Sequence, residues 1–164
     1  MGSQDFATYQ PGADAKQAFA AAVEEARYEY GHRGYTGTIA EKYEFTVIQA
    51  TPIPLDAARK LAAELVYSDP RVEDKWGPAG AIAVSGGPHL REVVIEARAG
   101  GYATFEEAIA ANLGDLPEGV TFERETGGSY EQDTRGRIKS GWATVWLSGG
   151  TAHTGWLFFG SAPS

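Results

Sequence analysis

The chain has 164 residues, 43% hydrophobic and 22% charged, with a formal net charge of -8 and no cysteine. That length suits one domain of about 100–200 residues, and the composition is that of an ordinary globular protein. Wholesale disorder, disulfides, thiolate zinc sites and a cysteine nucleophile are therefore excluded.

The 14 Lys and Arg are dispersed. A broad grip on duplex nucleic acid draws its affinity from clustered cations, so that binding mode is not expected. No apolar run approaches the ~18 residues of a membrane span, and no signal peptide opens the chain. The sequence thus points to the cytoplasm. Glycine, at 21 residues, is about twice its usual share, and the excess falls in doublets, such as Gly86-Gly87 and Gly149-Gly150, which mark tight turns.

Residues 1–13 read as a polar lead-in, with a short strand near Phe6–Tyr9. Asp14 starts the first helix, with Gln17 three residues on as a capping-box variant. Phe19, Ala22, Val23, Ala26 and Tyr30 form its apolar stripe, and Gly31 stops it. Tyr43–Gln49 reads as a strand. A second helix runs over about Leu55–Tyr67, with Ala58, Leu61, Ala62, Leu65 and Val66 inward; Asp69-Pro70 ends it. Arg71–Pro78 is a charged loop carrying Trp76.

Ala79–Ser85 reads as a strand buried on both faces. Gly86-Gly87-Pro88 turns the chain, and Leu90–Arg98 returns as its antiparallel hairpin partner. Thr104 and Glu107 make a capping box, and the third helix closes at Gly114. Val120–Thr126 alternates as a half-exposed strand, Gly127–Arg137 is a mobile hairpin tip, and Ile138–Ser148 and Gly155–Gly160 are the last strands. The expected fold is α+β: an antiparallel or mixed sheet of about five to six strands with three helices packed against one face. It forms a single domain over residues 14–164, without strictly alternating βαβ units.

The stretch 31–42 concentrates reactive side chains with backbone freedom. Backbone amides of residues 34–38, with Arg33, Thr36, Thr38 and Lys42, supply donors for an anion. Against this, a helix ends here rather than begins, and its C-terminal dipole repels anions. His32 and Glu41 have the chemistry of a general base and its orienter. The plainer alternative is that His32 caps the preceding helix. His32, His89 and His153 lack paired spacing, so no metal site is expected, and no cofactor is implied.

Asp69, Glu73, Asp74 and Lys75 beside Trp76 suit a magnesium or substrate-orienting loop, or a solvated loop pinned by a buried Trp. Trp142, Trp146, Trp156, Phe158 and Phe159 are a stacking platform or, more simply, aromatic core. Tyr130–Arg137 is a lid, a partner contact or an exposed loop tip. The sequence contains no nucleophile elbow, no zinc-protease helix and no calcium loop.

The run Ala26–Lys42, with Gly31-His32 followed by Gly34-Tyr35-Thr36-Gly37-Thr38-Ile39-Ala40-Glu41-Lys42, resembles a motif of small proteins encoded by tailed bacteriophages and prophages. Asp74–Gly80 and Leu157–Gly160 are similar to that family as well. The resemblance brings no activity with it. It implies a phage accessory protein in the host cytoplasm, a class that binds host molecules, nucleotides or defence signals.

Two readings follow. In the first, the chain binds a phosphate-bearing, nucleotide-like ligand or a host protein, with Arg33, Thr36, Thr38, Lys42, Asp74 and Lys75 at the ligand and Tyr35 or Trp76 stacking. In the second, it is a small hydrolase or transferase using His32 and Glu41. The lack of a recognised catalytic constellation favours binding. Homo-oligomerisation stays open.

Overall fold

The computed structural model describes residues 2–164. The fold is α+β, with three α-helices and seven strands in two sheets among the described residues. The elements are β1 (Ser3–Pro11), α1 (Ala15–Tyr30), β2 (Phe45–Pro54), α2 (Leu55–Leu65), β3 (Ala79–Ser85), β4 (His89–Ile95), α3 (Phe105–Leu113), β5 (Val120–Gln132), β6 (Ile138–Gly149) and β7 (His153–Pro163). They form two compact units. One comprises the chain up to Gly87 together with Thr151–Ser164, and the other is Pro88–Gly150.

The first unit holds a mixed sheet in the order β1-β7-β3-β2. β7 is central and antiparallel to both β1 and β3, while β2 and β3 run parallel. Parallel neighbours need a crossover, and α2 supplies it, so one βαβ unit is present. The lead-in is a full strand, paired with β7 from Ser3 to Pro11.

Side chains alternate across a strand, and β3 uses both faces. Ala79, Ala81 and Ala83 meet Phe19, Ala22 and Val23 of α1, along with Trp156 and Phe158 of β7. Ile82 and Val84 meet Ala58 and Ala62 of α2 and Val66 just beyond its end, with Leu157 and Phe159. The helices therefore cover opposite faces of this sheet, not one face as expected. The small alanines let α1 approach, and the larger residues fill the α2 side. Asp14 caps α1 as expected, its carboxylate accepting from the Gln17 amide at 3.0 Å. Tyr30, expected in the stripe, is exposed at the end of the helix.

The second unit holds an antiparallel sheet in the order β4-β6-β5. β3 and β4 are not a hairpin. They lie in different sheets, β3 on β2 and β7 and β4 on β6. The hairpin is formed instead by β5 and β6, around the expected tip: pairing continues through Gly127 and Gly128 to Gln132, so the tip shrinks to 133–137. Val93, Ile95, Ala143, Val145 and Leu147 form the inner face and pack on Ala108 and Ile109 of α3. The Thr104 hydroxyl accepts from the Glu107 amide at 3.1 Å, and Glu107 answers by accepting from Ala103 N–H at 3.1 Å.

No helix among the described residues is long and apolar enough to cross a membrane.

Candidate functional site

Gly31 ends α1 with a positive φ of 91°, its amide donating to the Arg27 carbonyl at 2.9 Å. The chain then crosses an open stretch and forms a short 3-10 turn over Ile39–Glu41. Ile39 and Ala40 are buried in the α1 core, which anchors the turn. Thr38 caps it: its hydroxyl accepts from the Ala40 amide at 3.2 Å.

The polar groups of the loop are largely satisfied by one another. The Thr36 and Thr38 hydroxyls are 2.8 Å apart. A Glu41 carboxylate oxygen accepts from the Thr36 amide at 3.3 Å and from the Thr36 hydroxyl at 3.1 Å. The Gly37 amide donates to the Pro163 carbonyl at 2.9 Å, fastening the loop to the end of β7. Two of the amides expected to cradle an anion, those of Thr36 and Gly37, are thus already committed.

Lys42 differs most from expectation. Its side chain is 1% exposed. Its ammonium donates to the carbonyls of Asp74 at 3.4 Å, Lys75 at 3.1 Å and Gly77 at 2.9 Å. An ammonium has three donors, and all three are used. Burial pushes its pKa below the usual lysine value, opposed by the charge of Asp74. Lys42 therefore clamps the 74–77 loop from beneath and does not face a ligand. The two loops meet through this residue.

The 74–77 loop is shaped by its own aspartate. The Asp74 carboxylate accepts from the Trp76 amide at 2.9 Å and its carbonyl accepts from the Gly77 amide at 2.9 Å. This Asx-type turn turns Trp76 outward. The expected buried pin is instead an indole 59% exposed, beside a Tyr35 ring 53% exposed. The two rings stand edge to face, with centroids 6.3 Å apart at 89°. The Lys75 ammonium lies 5.6 Å from the Trp76 ring centroid, within cation–π range. Tyr35 has φ 57°, the one positive φ at a non-glycine residue among the described residues. Non-glycine residues seldom adopt this region, and such backbones cluster at functional sites.

His32 and Arg33 are exposed on the open stretch. Among the described residues no hydrogen bond or ion pair joins His32 to Glu41, whose bonded oxygen is turned onto Thr36. The base-and-orienter pairing is therefore not made. Asp69 and Glu73 do not share one cluster either: Asp69 grips Arg71 through bonds of 3.0 Å to Nε and 2.7 Å to a terminal nitrogen, while Glu73 is exposed.

The structure thus brings Tyr35, Lys75 and Trp76 to one rim, with Thr36, Thr38, Glu41 and Lys42 as support and exposed Asp74 shaping the turn. Sequence reasoning missed the backbone carbonyls of Gly77 and Pro163, because main-chain acceptors leave no trace in residue type. Comparison with protein-family models, with curated proteins and with solved structures returns no match for this chain.

Proposed function

We propose that this protein is a non-catalytic binding protein, a phage accessory factor whose rim of Tyr35, Lys75 and Trp76, with Arg33 on the adjoining open stretch, holds a small phosphate-bearing, nucleotide-like ligand. The observation that carries the reading is the pair of exposed rings held edge to face with a cation at 5.6 Å. Aromatic faces stack on bases of any identity, and a neighbouring cation meets the phosphate. The net charge of -8 does not oppose this, since one phosphate group needs only one or two cations. The setting rests on the resemblance of the 26–42 run to phage proteins.

Turnover is disfavoured because His32 lacks the orienter a base requires. A host or defence protein is the second reading. It is favoured by the residue types on the rim, since Trp, Tyr and Arg are those enriched among interface hot spots.

A thermal-shift series with AMP, ADP, ATP, cyclic AMP and cyclic di-AMP tests the proposal. Ligand at about 100 times its Kd stabilises by about 2.7 kcal/mol, and each kcal/mol raises Tm by about 2–4 °C in a chain of 150–250 residues. Trp76→Ala is expected to remove the shift. If none of the five nucleotides moves Tm, the nucleotide reading is wrong. Capture of a host protein that Trp76→Ala abolishes would then support the second.

A further inference from the structure

β1 and β2 are the two edges of the mixed sheet, and they are built differently. An edge strand offers unpaired backbone groups to other strands, and proteins blunt that hazard with bulges and prolines. β2 has both: its pairing shifts register twice, and it carries Pro52 and Pro54. β1 has neither along its length. It pairs with β7 over all 9 residues without a shift, and its one proline is the last residue, Pro11.

The hydrogen-bond phase of β1 follows from its two ends. The Gly12 amide donates to the Thr154 carbonyl, and the Ser164 amide to the Gly2 carbonyl. Bonded pairs recur at every second residue of an antiparallel ladder, so the even-numbered residues of β1 bond to β7 and the odd-numbered ones turn N–H and C=O outward. Asp5 and Ala7, which flank Phe6, are exposed, and among the described residues β1 pairs with β7 alone.

We infer that β1 is the interface of a two-fold symmetric dimer, in which it adds antiparallel to β1 of a second copy about a dyad at Phe6. In that register Asp5 lies opposite Ala7 of the second copy, and each such pair exchanges both of its N–H···O=C bonds. On the α1 side the Phe6 rings, each packed against the α1 core of its own chain, meet across the dyad at a non-hydrogen-bonded position, where opposed side chains come closest.

Charge selects a second copy as the occupant. Asp5 is the only charged residue of β1, and it lies on the α2 side, accepting from the Tyr67 hydroxyl. A groove of about 380 Å³ runs there between β1 and α2, floored by Ala7, Ala62, Val66 and Phe159, with Arg59 and Tyr67 along its helical wall. Tyr67 marks the Asp5 end. Arg59 stands about 12 Å back along the helix, at the Ala7 end. Arg59 makes no hydrogen bond or ion pair among the described residues. The register centred on Phe6 brings Asp5 of the second copy opposite Ala7 on this same side, and so to Arg59. Any strand can use the outward amides, but this one also supplies the missing anion at the required spacing, and does so reciprocally, as an isologous contact demands. A register centred on Asp5 would instead set the two carboxylates side by side, which is repulsive.

The test is sedimentation equilibrium of the full chain from low micromolar to millimolar concentration. A monomer–dimer equilibrium is expected that goes no further, because a dyad closes the assembly. Ala7→Pro removes an outward donor that β7 does not use, at an edge position where proline is tolerated. It is expected to keep the far-ultraviolet dichroism and to weaken dimerisation more than tenfold. Arg59→Asp and Asp5→Arg are each expected to weaken it about tenfold by facing like charges. The doubly exchanged chain, Asp5→Arg with Arg59→Asp, is expected to recover most of that loss, and this arm decides the matter even where Ala7→Pro disturbs the strand. The inference is overturned if the chain stays monomeric at every concentration, which would leave the edge to a foreign strand, or if species larger than a dimer accumulate. It is overturned equally if folded Ala7→Pro dimerises at full strength, or if the double exchange is no tighter than the single ones.

Discussion

Lys42 shows how one residue's surroundings reverse its reading. Beside a glycine-rich loop a lysine suggests a ligand cation. Here it is 1% exposed and spends its donors on three carbonyls. Lys42→Met keeps much of the apolar stem but strands those acceptors. A buried acceptor left unpaired costs about 1–3 kcal/mol, and that is the loss expected in urea denaturation. A loss below about 0.5 kcal/mol, the range of ordinary surface changes, would mean water already serves the carbonyls. Asp69 contributes to the acid limb, alongside Glu123 and Asp133, whose hydrogen bonds also hold their carboxyls low. Its hydrogen bonds with Arg71 hold its pKa below the usual 3.8. The unfolded chain therefore binds the proton first as pH falls. The stability Asp69 contributes is full above pH 3.8 and is lost as pH drops through the lower folded value. Asp69→Asn is expected to flatten stability against pH in that window. An unchanged acid limb would show that the Arg71 pair stabilises nothing.

At the level of elements, β3 and β7 decide the packing. Gly80 sits directly across from Phe159 on the α2 side. A Cβ there would lie 2.4 Å from the Phe159 ring and 3.0 Å from a Val72 methyl. Phe159 is fully enclosed, so its ring has nowhere to retreat. Gly80→Ala is expected to cost about 1–3 kcal/mol, the usual range for overpacking a core, read as a lower urea midpoint with unchanged slope. Elements whose signals are local were legible in the sequence: the Asp14 cap, the Thr104–Glu107 box and the α2 stripe all stand where their residues put them. What depends on partners far along the chain was not. The β3–β4 hairpin failed because a short glycine turn satisfies hairpin spacing whether or not the strands pair. The two-sided helix cover failed because alternation along β3 shows that both faces are buried but not what buries each. At the candidate site the same division holds. The residues of 31–42 and 74–76 were picked out by type, but which of them face outward was set by carbonyls and by an Asx turn.

At the scale of the molecule, the glycine doublets that read as turns mark the seams between the two units: Gly86-Gly87 where the chain leaves the first, and Gly149-Gly150 where it returns. Composition does not shift across either seam, so a single domain was the natural reading. The cores differ, however. All members of the α1 and α2 clusters lie outside 88–150, and all members of the α3 cluster lie within it. The ends of the excursion are also already joined, since Ser85 pairs with His153 and the Gly86 amide donates to the Ala152 carbonyl at 3.1 Å. Replacing 88–150 by a few Gly and Ser residues would therefore convert a long connection into a tight antiparallel one, at no cost in loop-closure entropy. The shortened chain is expected to keep its mixed sheet, unfold cooperatively in urea with a smaller m-value, and retain nucleotide binding. The 88–150 segment alone is expected to be the less stable piece, because a domain of about 60 residues buries only about 60% of its unfolded surface. A shortened chain with native-like far-ultraviolet dichroism but no cooperative transition would contradict this, and would mean that the first unit needs the inserted one to complete its fold.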